Sequence, residues 1–82
     1  MLDEKTRELV AIGASITANC QPCLEYHTIK ARELGANTEA ILDAIEVGKL
    51  VRRGAAAKMD RFATQSVTGE NLAVPPAGCE CQ

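Results

Sequence analysis

At 82 residues and 8.7 kDa the chain has room for one domain. A chain of this length buries only about 60–65 % of its unfolded surface, so a monomeric core is marginal. Tyr26 and Phe62 are the only aromatic residues and Trp is absent. The core must therefore be aliphatic and Ala-rich, and small domains of this kind are completed by disulfides, a metal or self-association. The net charge of −2 and pI near 5.3 argue against a nucleic-acid partner. The charge is uneven: residues 1–46 hold eight acids against four bases and the remainder three acids against five, an asymmetry that suits a self-complementary interface.

No apolar run reaches the roughly 18–20 residues of a membrane span, and the opening MLDEKTRELV is charged where a signal peptide is apolar. The expected address is cytoplasmic, and in a reducing compartment cysteines are more often catalytic or metal-bound than structural.

The expected fold is all-α, a bundle of about four helices completed by homo-oligomerisation. Leu2, Leu9, Ile12 and Ile16 recur at helical spacings from Asp3 to about Ala18, with Asp3 and Glu4 at the positive dipole end. Asn19 reads as the N-cap of a second helix over Cys20–Leu34, with Pro22 in its first turn. Its buried face is Cys20, Cys23, Leu24, His27, Ala31 and Leu34, and Gly35 closes it.

Asn37-Thr38 opens a third helix carrying Ala40, Ile41, Ala44, Ile45 and Val47. Gly48 and Gly54 weaken the continuation, so the sequence predicts a bend near Leu50 and a fourth helix to about Val67. Leu50, Val51, Ala55, Ala56, Met59, Phe62 and Ala63 are expected on its inner face. Residues 1–69 form the helical domain, and 70–82 an extended Pro75-Pro76 arm ending in Cys79-Glu80-Cys81.

The informative stretch is Asn19-Cys20-Gln21-Pro22-Cys23-Leu24-Glu25-Tyr26-His27. Spacings of three and four put Cys20, Cys23 and His27 on one helix face. Thiols near a helix start have a raised thiolate fraction, and a histidine one turn on can hold or relay the released proton. Nucleophile, partner sulfur and base make a thiol–disulfide couple. Helical neighbours have Cβ atoms roughly 5–6 Å apart and a disulfide needs about 3.5–4.5 Å, so closing the bridge should tighten the first turn.

Glu8, Cys20, Cys23 and His27 together reproduce a Glu-x11-Cys-x2-Cys-x3-His signature. In this the chain resembles the alkylhydroperoxidase AhpD-like proteins of the carboxymuconolactone decarboxylase superfamily, over roughly residues 5–65, including the small-residue segment Gly54-Ala55-Ala56-Ala57. The resemblance implies that Cys23 is the attacking, peroxide-reducing cysteine and Cys20 its partner, donating a proton and closing the disulfide. It implies that Glu8 and His27 form a proton relay, and that copies assemble as trimers or hexamers. The substrate would be a hydroperoxide or a partner disulfide and the reductant an external dithiol or thioredoxin-like protein, with no resident cofactor or metal. Some full-length hydroperoxidases carry a second His between the cysteines, where this chain has Pro22. The lactone decarboxylases of the superfamily lack the Cys pair, so that activity is not implied.

Other readings stand beside this one. The Cys pair could pack as small apolar residues, or Cys20, Cys23 and His27 could hold zinc or a soft metal or metalloid with Cys79 or Cys81. His27 could be a satisfied core histidine, and Glu8 a surface acid with Glu4 in its place. Tyr26 is expected at a subunit contact. Lys49, Arg52 and Arg53 share a face and read as solvated. The Cys79/Cys81 pair reads either as a disordered end or as a flexible dithiol passing electrons to the Cys20–Cys23 bridge.

Overall fold

A computed structural model describes residues 1–69, and the arm and the Cys79/Cys81 pair lie outside the described residues. These residues form three helices, α1 (Glu4–Thr17), α2 (Gln21–Glu33) and α3 (Thr38–Thr68), with no strand among them. The all-α expectation holds, with three helices rather than four.

Each boundary has a local cause. Asp3 caps α1, its carboxylate accepting the Thr6 N–H at 2.7 Å. Asn19 ends α1 instead of opening α2: it takes the left-handed conformation (φ 56°), which asparagine tolerates better than most residues. The Cys20 N–H then reaches back to the Ser15 carbonyl at 3.0 Å, closing the helix end. The N-cap position of α2 thereby passes to Cys20. Gly35 (φ 93°) terminates α2 as the sequence predicts, and Asn37 caps α3 by accepting the Ala40 N–H at 2.8 Å.

The predicted bend does not form. α3 runs unbroken for 31 residues, about 46 Å at 1.5 Å per residue. Gly48, read as a weak join, is a contact glycine. A Cβ built there would lie 2.8 Å from Ile16 Cβ and 3.1 Å from the Gly13 backbone carbon, and would overlap the Gly13 carbonyl oxygen. The absent side chains at Gly13 and Gly48 let α1 and α3 approach backbone to backbone. Thr17 Oγ1 fixes the crossing by donating to the Gly13 and Gly48 carbonyls, at 3.1 Å each or as alternatives for its one hydrogen. The 0.8–1.0 kcal/mol or so that glycine costs a helix interior is outweighed by this close packing.

α1 is the central element and packs against both α2 and α3. The core is small, with Ile12, Ala31, Ala36 and Ile41 buried and Leu9, Leu24, Ala44 and Ile45 partly buried against them. The second half of α3 is a correction to the predicted inner face. Leu50 and Val51 are half-buried, but Ala55, Ala56 and Ala63 are exposed, as are Met59 and Phe62, each at 63 %. The reason is length: α1 has 14 residues, and the far half of α3 extends past it. Leu34 likewise is exposed rather than buried. Between α1 and the first half of α3 runs an apolar groove of about 430 Å³, walled by Leu9, Val10, Val47 and Val51.

Candidate functional site

α1, the α1–α2 turn and the first two turns of α2 together carry the four signature residues, Glu8 coming from α1. Cys20 and Cys23 are joined by a disulfide with their Cα atoms 5.3 Å apart. Cys20 is not on the helix, as the spacing argument assumed. It is the N-cap residue, with extended backbone (φ −104°, ψ 98°), while Gln21, Pro22 and Cys23 form the first turn. The bridge therefore links an extended residue to the third helical position and does not require two sulfurs on one helical face. Its setting is the positive end of α2, where Cys20 supplies no side-chain cap and Pro22 has no N–H to offer. Cys23 is exposed and Cys20 half-buried.

One turn beyond Cys23, His27 Nδ1 lies 2.6 Å from Glu8 Oε1. The two side chains are 29 % and 20 % exposed, so the pair is sheltered but open at one edge. A carboxylate only accepts, so with Glu8 ionised Nδ1 carries the hydrogen and Nε2 of a neutral imidazole is left to accept a proton. Glu8 also lines a charged cleft of about 240 Å³ with Glu4, Arg7 and Lys30. The contact across 19 residues of sequence thus links the imidazole to the molecular surface. Of the two acids weighed for this place, Glu8 meets His27, and Glu4 stands exposed in the first turn of α1. The Tyr26 ring sets its edge against His27, with centroids 5.0 Å apart and planes at 82°.

Arg52, which the sequence places with Lys49 and Arg53 on a solvated face, has a role that the sequence does not assign. It is not merely solvated: Nη1 donates to the Ile16 carbonyl at 3.1 Å and to Asn19 Oδ1 at 2.7 Å. These bonds pin the turn that presents Cys20 to the middle of α3. Arg52 and Cys20 share the wall of a cleft of about 180 Å³, together with Ser15, Asn19 and Gln21. No local pattern marks this role, since 36 residues separate Arg52 from Ile16.

Among the described residues no three or more His, Cys, Asp or Glu side chains are grouped to hold a metal ion. The zinc set weighed above would need Cys79 or Cys81, outside the described residues. Nor is any helix among the described residues long and apolar enough to cross a membrane.

Fold and site define a class: a small all-α protein with a CxxC disulfide at a helix start and a His–Glu pair one turn on. A model of the carboxymuconolactone decarboxylase family matches residues 1–65, and the chain belongs to that family. It is 40 % identical over 55 residues to a protein of Paracoccus denitrificans called "Uncharacterized protein 4 in cox locus". That match covers 67 % of this chain and 50 % of the relative, so the chain aligns with about half the relative's length. No solved structure matches the chain significantly.

Proposed function

We propose that the protein is a thiol–disulfide redox enzyme that reduces hydroperoxides or relays a disulfide, with Cys23, Cys20, His27 and Glu8 as its working residues. The observation that carries this reading is the Cys20–Cys23 bridge at the start of α2, one turn from a histidine held by a carboxylate.

The Cys23 thiolate attacks the distal oxygen of a hydroperoxide, the S–O bond forms as the O–O bond breaks, and the departing alkoxide takes a proton to leave as an alcohol. Cys20 then attacks the resulting sulfenic acid; the S–S bond forms and hydroxide leaves, protonated to water. His27 holds the proton released by a thiol and returns it to a leaving group, and Glu8 orients the imidazole and connects it to the charged cleft. An external dithiol or thioredoxin-like partner returns two electrons to the bridge. A cytoplasmic setting fits this cycle, because such reductants are maintained there.

Copies of the chain associate, in this reading as trimers or hexamers, to cover apolar surface that a monomer leaves in water. What supports this is the exposure of Met59 and Phe62 on α3 and the apolar groove beside α1. Native mass spectrometry with peptide mapping, on reduced protein before and after about one equivalent of hydroperoxide, tests both parts. The expected result is a metal-free oligomer whose Cys20 and Cys23 are converted to a disulfide within the reaction. One zinc per chain with both thiols protected would overturn the redox reading.

A further inference from the structure

We infer that the cleft beside Cys20 receives the reductant of the bridge, and that this reductant is a small thiol bearing a carboxylate, which attacks the Cys20 sulfur. The inference rests on the redox reading above, puts two molecules of a small thiol in place of its dithiol or thioredoxin-like reductant, and adds the point of attack and the charge of the attacker.

The two sulfurs of the bridge differ in surroundings. Cys20 lines the cleft of about 180 Å³, and Cys23 is not part of that wall. A cavity below the roughly 300–1,000 Å³ of drug-sized sites suits a thiol of a few heavy atoms. Among the described residues, Arg52 is the only charged one lining it. Both of its bonds go to neutral oxygens, the Ile16 carbonyl and Asn19 Oδ1, so neither neutralises the guanidinium. Both are also made by Nη1, in a group that carries five N–H donors. The cleft thus presents a positioned cation beside one sulfur of the disulfide.

Attack on Cys20 makes Cys23 depart from the first turn of α2, where the helix N-terminus stabilises the thiolate; the same N-terminus serves the N-cap residue Cys20, so the choice of sulfur rests on the cleft. The reductant thiolate forms a new S–S bond to Cys20 Sγ, the Cys20–Cys23 bond breaks, and Cys23 leaves with the electron pair. A second reductant thiolate then attacks the reductant-derived sulfur of the mixed disulfide. Cys20 leaves as its thiolate, and the two reductant molecules depart joined as their own disulfide. Two electrons have passed to the protein, and Cys23 is left as the thiolate that the peroxide step requires.

The test uses the oxidised full chain and three probes of similar size: 3-mercaptopropionate, 2-mercaptoethanol and cysteamine, compared at equal thiolate concentration with correction for thiol pKa. Reactions are quenched in acid, blocked with N-ethylmaleimide and mapped by mass spectrometry. The anionic probe should react about five-fold faster than the neutral one, as one charge near Arg52 in a solvated cleft implies, and cysteamine should be slowest. The first adduct should map to Cys20. The preference should vanish in about 1 M salt, where the screening length is roughly 3 Å, and in Arg52→Gln, while Arg52→Lys keeps it. Equal rates for the three probes, or an adduct on Cys23, would overturn the inference and leave the redox reading standing. Because the probe and salt comparisons use the unaltered protein, they decide the matter even if Arg52→Gln disturbs the turn. A bridge that no probe opens, in a protein whose thiols also resist hydroperoxide, would be a failure of the redox reading itself.

Discussion

Replacing Gly48 with alanine tests how α1 is held against α3. Carbon atoms pack comfortably at about 3.5–4.0 Å. A Cβ at position 48 would lie 2.8 Å from Ile16 Cβ and 3.1 Å from the Gly13 backbone carbon. The shortfall against Ile16 is at least about 0.7 Å. The obstacles are a β-carbon and main chain, neither of which can rotate aside, so the helices must separate. Overpacking of this kind costs about 1–3 kcal/mol. Separation also lengthens the Thr17 Oγ1 bond to the Gly48 carbonyl, now 3.1 Å, a loss of about 1 kcal/mol. Alanine returns about 0.8–1.0 kcal/mol of helix propensity. The net expectation is a destabilisation of about 2 kcal/mol, read from urea unfolding followed by circular dichroism at fixed protein concentration, because association would couple stability to concentration. Ala57→Gly, at an exposed position of α3, calibrates propensity alone and should cost about 1 kcal/mol. If Gly48→Ala instead stabilised the protein by the propensity amount, the backbone contact would not limit the packing and the reasoning would be wrong.

Other expectations follow from the site and the caps. Cys23→Ser should abolish peroxide turnover, and Cys20→Ser should leave a sulfenic acid or mixed disulfide on Cys23; mass spectrometry showing the roles reversed would reassign the attacking thiol. His27→Ala should slow turnover at neutral pH more than at alkaline pH, where the thiolate forms unaided, and a uniform loss across a rate–pH profile would make His27 structural. Asp3 is held below its ordinary pKa by the Thr6 N–H, so its contribution to stability is present above the unfolded carboxylate range and is lost as pH falls through the lowered value. Asp3→Ala should therefore lower the melting temperature at neutral pH and flatten its acid dependence, and identical acid profiles would count against the cap. If the Cys79/Cys81 segment passes electrons to the bridge, truncation after Gly78 should slow reduction by an external dithiol, and an unchanged rate would exclude that role.

The sequence carried most of the site because its chemistry is local or in register. Cys20, Cys23 and His27 fall within eight residues, and Asp3, Gly35 and Asn37 act through the nearest turn of backbone, so composition and spacing are enough to find them. Glu8 was legible only through its register with the signature; it took the packing of α1 on α2 to show that it, and not Glu4, meets His27. At Asn19, where the sequence predicts an N-cap, the backbone takes the left-handed helix stop instead, and Cys20 becomes the cap. The remaining features depend on contacts between distant segments, which no local pattern encodes. Gly48 looked like a helix weakness because its compensation is Gly13, on another helix. Arg52 looked like one of several surface cations because its acceptors lie more than 30 residues away. Met59 and Phe62 looked like core because periodicity reports an apolar face but not whether a neighbour of sufficient length covers it. Sequence alone determined the helical character of the chain, the boundaries at Gly35 and Asn37 and the spacing of Cys20, Cys23 and His27; tertiary structure decided which surfaces meet, because close approach and coverage belong to pairs of elements rather than to either one.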